Sequence, residues 1–320
     1  MNTVYIGYQN HIRLCEAHVS IFYRPGWLGL MSISKSRARI RLDTDRVYYK
    51  DSRMMTEIPD NSINCVITSP PYFSINDYSL DGYQRKRHSG NKAAQLGNIK
   101  KFETYIGELL KVWSECERVL RPNGKLIINA PLMPMLKRVY NTHFNRHIFN
   151  IHSEIQRSIL DDTGLFLLDV YIWNRTNPSK KPMFGSYPYP SNFYAQNTIE
   201  FIAVYVKDGK SDNNISKTRK RRSRLTQKEW VEYTKQVWDI PMPNKGDSAF
   251  GKHPAIMPEE IPRRCIRLFT FEGDVVLDPF SGSGTTLKMA KKLNRKYIGY
   301  EIMKSYKGHI TEKLGEADDE

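Results

Sequence analysis

The chain lacks the features of a membrane-spanning, secreted or disulfide-stapled protein. Its 320 residues include four scattered cysteines, Cys15, Cys65, Cys116 and Cys265, and no C-x-x-C pair. This spacing argues against both zinc and disulfide frameworks and favours a reducing compartment. No apolar run approaches the roughly 20 residues that a bilayer requires, and no charge and cleavage pattern of a signal peptide appears. We therefore expect a cytoplasmic protein.

The histidines of the chain do not indicate a metal centre. His143 and His147 have the spacing of metal ligands on a helix, but no acidic or thiol partner follows at a suitable distance along the chain. Ordinary surface histidines are the simpler interpretation. We expect no metal.

The chain has fewer acidic than basic residues. The chain has 34 acidic against 49 basic residues, a formal net charge of +15. Such an excess favours a polyanionic partner such as DNA, although charge alone fits a basic solvated surface equally well. A hydrophobic fraction of 40% and an aromatic fraction of 12% are enough for one large core or two modest ones.

The first motif follows the apolar stretch from Ile63 to Ile67. It reads Thr68-Ser69-Pro70-Pro71-Tyr72. The two prolines exclude helical geometry before them and leave backbone carbonyls pointing outward. A hydroxyl, a free carbonyl and an aromatic ring held together suit the capture of a planar, amine-bearing group, and a flipped nucleobase is such a group. A purely structural turn is the alternative for this motif alone.

The second motif reads as strand, glycine turn and helix. Val275-Val276-Leu277 leads into Asp278-Pro279-Phe280-Ser281-Gly282-Ser283-Gly284-Thr285-Thr286, and helical spacing follows. The glycines let the backbone approach a ligand closely, and Asp278 can bind an ammonium group. Glu301 ends a further short strand, the position from which a carboxylate holds ribose hydroxyls in doubly wound folds. A phosphate-binding P-loop would need a lysine where Thr285 stands.

Together these segments resemble the β-class DNA amino-methyltransferases of restriction-modification systems, specifically the cytosine-N4 type with an S-P-P-Y motif. The similarity runs from about Arg46 to Tyr306. It also covers Leu120 to Ile128, Trp173 to Pro178, Glu200 to Ile202 and His253 to Ala255. The resemblance implies an α/β fold with a doubly wound, mostly parallel sheet of the S-adenosyl-L-methionine-dependent methyltransferase type. It further implies a circularly permuted order, catalytic segment first, with an inserted target-recognition region.

The domain organisation follows from the same resemblance. We expect an N-terminal extension of uncertain role over residues 1–44, of which 1–30 would be dispensable if Met31 is the true start. The remaining expected segments are a catalytic half over 45–174, a target-recognition region over 175–250, an S-adenosyl-L-methionine-binding half over 251–310 and an acidic tail over 311–320.

The resemblance and the chemistry of amine methylation assign roles to individual residues. The catalytic set is Ser69, Pro70, Pro71 and Tyr72: Ser69 Oγ and the Pro70 carbonyl accept the amine hydrogens, Tyr72 stacks on the extruded base, and Phe73 shapes the wall of the pocket. The predicted cofactor-binding residues are Asp51, Thr68, His253, Pro254, Asp278, Pro279, Phe280, Ser281, Gly282, Ser283, Gly284, Thr285, Thr286 and Glu301.

Two basic runs and a few polar residues are the candidates for DNA contact. Basic runs of this kind are usually solvated loops, and a nuclear-localisation signal is a further interpretation; here the resemblance favours phosphate contacts. The predicted phosphate contacts are Arg85, Lys86, Arg87, Lys217, Arg219, Lys220, Arg221, Arg222 and Arg224. The candidate base-reading residues are Arg175, Asn192, Gln196 and Asn197.

The sequence therefore predicts a site-specific, nucleoid-associated DNA methyltransferase that transfers a methyl group from S-adenosyl-L-methionine to N4 of a flipped cytosine, with a cognate restriction endonuclease as a partner. Ser69 favours cytosine, because family members that act on adenine usually have Asp at this position; some adenine enzymes also have Ser. The alternatives are an adenine-N6 DNA methyltransferase, an RNA amino-methyltransferase and an inactive DNA-binding module.

Overall fold

The computed structural model describes residues 41–73, 95–136, 146–177, 186–191, 195–211, 214–244, 246–247 and 255–315. Within them a nine-stranded sheet is flanked by helices. The strands are β1 Arg46–Tyr48, β2 Ile63–Thr68, β3 Leu120–Leu136, β4 Arg146–Asn150, β5 Leu165–Arg175, β6 Ile199–Lys207, β7 Val237–Ile240, β8 Val275–Asp278 and β9 Lys296–Tyr300. The helices are α1 Phe102–Val119, α2 Ile151–Asp162, α3 Lys217–Arg222, α4 Gln227–Tyr233, α5 Glu260–Phe269, α6 Thr285–Lys292 and α7 Lys307–Leu314.

The sheet has the order β1-β9-β8-β2-β3-β6-β5-β7, with β4 paired to β3. The pairs that involve β1, β2, β8 or β9 are all parallel, and β6 is antiparallel to both of its neighbours. From β2 the chain passes through α1 to β3 on one side, whereas from β8 it passes through α6 to β9 on the other. The order therefore reverses between β2 and β8, the place where doubly wound sheets bind ligands.

Alternation along the central strands divides the core between the two faces of the sheet. Val66 and Leu277 point to one face, where Trp113 of α1 packs against them in a single buried cluster. Ile67 and Val276 point to the other face and join the cluster that includes residues of α5, α6 and α7. Because both faces are covered, these strands read in the sequence as nearly continuous apolar runs.

The strands and helices that the sequence predicts around the two motifs are confirmed. Strands β6 and β7 fall within 175–250, the predicted recognition region, and both belong to the central sheet. The domain organisation itself stays a prediction. His147 lies in β4 rather than on a helix. Among the described residues no helix is long and apolar enough to cross a membrane.

Candidate active site

The two sequence motifs meet at the carboxyl ends of β2 and β8. Thr68 Oγ1, at the last residue of β2, donates a hydrogen bond of 2.7 Å to Asp278 Oδ1, at the last residue of β8. Asp278 Oδ1 also accepts from the Phe280 backbone N–H at 3.0 Å, which starts the turn toward α6. Residues 210 positions apart in the sequence thus form one corner.

The glycine turn shows why glycine is required there. Gly282 and Gly284 have φ angles of 51° and 82°, in the left-handed region that side chains disfavour. The Gly282 N–H donates to Glu301 Oε2 at 2.8 Å, and Met303 N–H donates to Glu301 Oε1 at 2.8 Å. Glu301 therefore ties the end of β9 to the turn that follows β8.

A cavity of about 390 Å³ lies at this corner and joins both motifs. All four predicted catalytic residues line it, as do Asp51, residues 278–283, Thr285, Thr286 and Glu301 of the predicted cofactor set. Two residues of the predicted cofactor set, Thr68 and Gly284, are buried and do not line the cavity. His253 and Pro254 lie outside the described residues, as do Arg85, Lys86, Arg87 and Asn192.

The carboxyl groups of the cavity differ in their electrostatics. Burial raises the pKa of Asp278 to about 6, against the hydrogen bonds from Thr68 and Phe280. Burial likewise raises the pKa of Glu301 to about 7. Partial burial alone would also raise the pKa of Asp51. The hydrogen bonds and the charge of Arg53 outweigh this effect, so the pKa of the Asp51 carboxyl is lowered. At neutral pH Asp278 is thus an anion beside a cavity, which suits it to a bound cation.

The S-P-P-Y corner forms a hydrogen-bonded cluster. Ser69 Oγ lies 2.9 Å from the Tyr72 hydroxyl and 3.2 Å from the Asn129 carbonyl oxygen, to which it can donate. The Tyr72 hydroxyl donates to Glu200 Oε2 at 3.0 Å. Ser69 therefore has a fixed orientation at the cavity wall.

Sequence reasoning missed two members of this cluster, Asn129 on β3 and Glu200 on β6. Asn129 Nδ2 donates to Glu200 Oε2 at 2.7 Å, and the Arg175 guanidinium lies 3.5 Å from Glu200 Oε1. Both missed residues are buried and line the cavity. Within the described part of the chain, Asn129 Oδ1 and Asn197 Oδ1 are buried without a hydrogen-bond partner, and both residues line the cavity. A polar residue in an otherwise apolar strand was the available sequence signal.

One predicted wall residue packs elsewhere. Phe73 is 2% exposed and packs against Phe102 and Tyr105, with ring centroids 5.3 and 5.4 Å away. It belongs to the core and does not line the cavity, because its ring points to the α1 side of the sheet.

The basic run 217–224 is largely helical and is not the solvated loop that such runs usually form. Residues Lys217–Arg222 form helix α3, capped by the Ser216 side chain. Arg219 donates to Asp274 Oδ1 at 2.7 Å and to the Glu272 carbonyl, both just before β8 begins. Helix α3 therefore lies at the amino ends of the parallel strands. The cavity lies at the other end of the same strands.

Comparison with known proteins agrees with this geometry. The family model described as DNA methylase, of the N6/N4 type, matches residues 63–312. The chain belongs to the N6/N4 DNA methylase family. This family of DNA methyltransferases uses S-adenosyl-L-methionine, and the Asp278 corner, the glycine turn and Glu301 provide the anionic and close-approach groups that this cation requires.

Individual relatives extend the match over most of the chain. The type II methyltransferase M.MjaI of Methanocaldococcus jannaschii is 34% identical over 84% of this chain and 91% of its own length. The structure of TTHA0409 from Thermus thermophilus, complexed with S-adenosyl-L-methionine, is 28% identical, with a TM-score of 0.65 over 84% of this chain and 93% of that one. The cytosine-N4-specific PvuII DNA methyltransferase shares the fold, at 20% identity and a TM-score of 0.60 over 87% of this chain and 88% of its own.

Proposed function

We propose that this DNA methyltransferase methylates N4 of a flipped cytosine at a specific site in duplex DNA. The observation that carries the proposal is Ser69, a neutral hydroxyl at the cavity wall, linked through Tyr72 to the buried carboxyl of Glu200. A second carboxylate at position 69 would lie close to Glu200, and like charges in a buried site disfavour ionisation of both. A neutral acceptor suits this pocket, and the family preference for Ser in cytosine enzymes agrees.

The chemistry requires the amine's lone pair to leave conjugation with the ring. Ser69 Oγ and the Pro70 carbonyl accept the two amine hydrogens, and Tyr72 provides an aromatic face for the extruded base. S-adenosyl-L-methionine, when bound, supplies a methyl group on a positively charged sulfur. The residues of the cavity hold the amine in line, and positioning of this kind supplies much of the rate enhancement.

The chain order supports the permuted arrangement. The S-P-P-Y corner after β2 precedes the glycine turn after β8, so the catalytic half comes first. Arg175, Asn197 and Met242, all from the proposed recognition region, reach the cavity and are the candidates for contact with the base. We propose a role in DNA modification with a cognate restriction endonuclease, as the type II methyltransferase relatives suggest.

The methylated atom is the direct test. DNA from cells that express the protein should contain N4-methylcytosine by nucleoside mass spectrometry, and DNA from cells that express the Ser69→Ala variant should contain much less. Detection of N6-methyladenine without N4-methylcytosine would overturn the base assignment and leave the family and cofactor intact.

Cofactor affinity should depend on pH. The ionised form of Asp278 is the one that binds an ammonium group, and its pKa is raised to about 6. The dissociation constant for S-adenosyl-L-methionine should therefore be lowest near pH 8 and rise as the pH falls through the raised pKa values of Glu301, about 7, and Asp278, about 6. Calorimetry over this range measures it, and an affinity that does not weaken on acidification would contradict the assignment.

The basic helix α3 provides a test of where DNA binds. Helix α3 lies at the amino ends of the strands, away from the cavity, so we expect Gln substitutions at Lys220, Arg221 and Arg222 to leave the salt dependence of DNA affinity unchanged. If α3 instead binds phosphates, as its sequence predicts, the slope of log affinity against log salt should flatten by about 0.9 for each phosphate that is no longer neutralised.

A matched variant controls for net charge in that experiment. Lys111, Arg157 and Lys292 are exposed residues of α1, α2 and α6, and their substitution by Gln removes the same three charges. Equal slopes for both variants and the wild type would assign α3 no part in the complex.

A further inference from the structure

The buried carboxyl of Glu200 has a role that the methyl-transfer scheme above does not use. It is 6% exposed, and its Oε2 accepts hydrogen bonds from both Asn129 Nδ2 and the Tyr72 hydroxyl. The Arg175 guanidinium faces its Oε1 at 3.5 Å. A buried, well-partnered carboxylate next to a proposed site of proton loss is a candidate proton acceptor.

The directions of the hydrogen bonds around Tyr72 can be deduced. A tyrosine hydroxyl has one hydrogen, and an ionised carboxylate only accepts, so Tyr72 donates to Glu200. The single Ser69 hydrogen then goes either to the Tyr72 oxygen at 2.9 Å or to the Asn129 carbonyl oxygen at 3.2 Å. Both acceptors turn the Ser69 hydrogen away from the substrate and leave the Ser69 lone pairs to accept from the amine, and the relay uses the arrangement in which Ser69 donates to Tyr72.

We propose that Glu200 receives, through Tyr72 and Ser69, the proton that the target amine loses on methylation. The inference rests on the proposed function. The amine nitrogen forms a bond to the methyl carbon while the bond from that carbon to the donor's sulfur breaks, and the electron pair of the broken bond stays on sulfur. One amine proton moves to Ser69 Oγ, the Ser69 proton moves to the Tyr72 oxygen, and the Tyr72 proton moves to Glu200 Oε2.

The surroundings of Glu200 suit it to this task. Burial raises its pKa, against the charge of Arg175 and the hydrogen bonds from Asn129 and Tyr72, which makes the carboxylate a stronger base than an exposed glutamate. Arg175 on β5 is the charged group that contacts it among the described residues. Other carboxyl groups of the same cavity, those of Asp51, Asp278 and Glu301, belong to the cofactor side. In this scheme Glu200 acts on the substrate only through Tyr72 and Ser69, so it is a positioning residue and not a catalytic one.

Two conservative variants separate the relay from simple support of the fold. Glu200→Gln keeps an oxygen that can accept from Tyr72 but cannot take a proton. Tyr72→Phe keeps the ring and removes the middle of the relay. Each should lower the single-turnover rate, at saturating DNA and S-adenosyl-L-methionine, by about 100-fold or more, the usual contribution of general acid-base catalysis. The double variant should be no slower than the slower single variant, because both interrupt one path.

A matched control is Glu115→Gln. Glu115 on α1 is likewise a hydrogen-bonded carboxyl group: it accepts from the Met55 backbone N–H and pairs with Arg118, but it does not line the cavity. This control should keep the wild-type rate, and melting temperatures of all variants report any loss of folding.

Two further measurements distinguish a proton acceptor from a structural residue. The wild-type rate should fall as pH falls and Glu200 becomes protonated, and Glu200→Gln should lack this acid limb at saturating cofactor, where titration of Asp278 and Glu301 no longer limits binding. Without cofactor, infrared spectra of wild type minus Glu200→Gln should show a protonated-carboxyl band that disappears as pH rises. A wild-type rate in Glu200→Gln, or losses that multiply in the double variant, would overturn the relay.

Failure of the proposed function has a different signature. The relay needs only an exocyclic amine, so methylation of adenine N6 would overturn the cytosine assignment and leave the comparison of variants valid. A wild-type protein that methylates neither base would remove the proposed function itself, whereas normal methylation by Glu200→Gln removes the relay alone.

Discussion

Replacing Ser69 with alanine should lower the rate of methyl transfer by about 10²- to 10³-fold, the usual effect of removing one positioned hydrogen-bonding group from an active site. Ser69 Oγ faces the cavity with its hydrogen directed to Tyr72 or to the Asn129 carbonyl. Without this oxygen the amine loses an acceptor, and its lone pair stays conjugated with the ring. Single-turnover kinetics with a duplex substrate measure the effect.

The loss should appear in kcat, with the KM for S-adenosyl-L-methionine close to its wild-type value, because Ser69 is not one of the predicted cofactor contacts, most of which follow β8 and β9. Ser62→Ala is the matched control. Ser62 precedes β2, at the opposite end of the strand from Ser69, and its hydroxyl bonds only locally to the Pro59 carbonyl. A Ser69→Ala enzyme with wild-type kcat would show that the hydroxyl takes no part in catalysis.

The parts of this site that the sequence predicts are those that carry their geometry locally. Pro70 and Pro71 fix the backbone after β2, and Gly282 and Gly284 adopt the left-handed conformations that a tight turn requires. Each motif also follows an apolar run that can only be a buried strand. Because ligands bind at the carboxyl ends of such strands, the meeting of Thr68 with Asp278 follows from the fold class.

The parts that the sequence did not predict depend on distant contacts. Glu200 reaches Tyr72 only because β6 inserts antiparallel between β3 and β5, and nothing near residue 200 encodes that pairing. The basic run shows the converse. Its composition suggests a DNA contact, but the position of α3 depends on the bond from Arg219 to Asp274, which no local pattern reveals. Phe73 likewise turned to the core because Phe102 and Tyr105 offer it an aromatic packing site.

Replacing Asp278 with asparagine should weaken binding of S-adenosyl-L-methionine by about 10- to 150-fold, since a hydrogen bond to a charged group contributes about 1.5 to 3 kcal/mol. Asparagine retains an oxygen that can accept from Thr68 and from the Phe280 N–H, so the corner between β2 and β8 stays closed. Alanine would break both bonds and confound charge with structure. Calorimetry at pH 8, where the wild-type carboxyl is ionised, gives the cleanest comparison.

The control for this variant lies at the other end of the same strand. Asp274, just before β8, is also buried, and it accepts from the Phe271 N–H and from Arg219. Asp274→Asn makes the same chemical change outside the cavity and should leave cofactor affinity unchanged. Asp278→Asn should also make cofactor binding less sensitive to acidification than in the wild type, because the amide does not titrate and only Glu301 still does. Wild-type affinity in Asp278→Asn would remove Asp278 from the ammonium site, and equal losses in both variants would trace the effect to β8 rather than to the carboxylate.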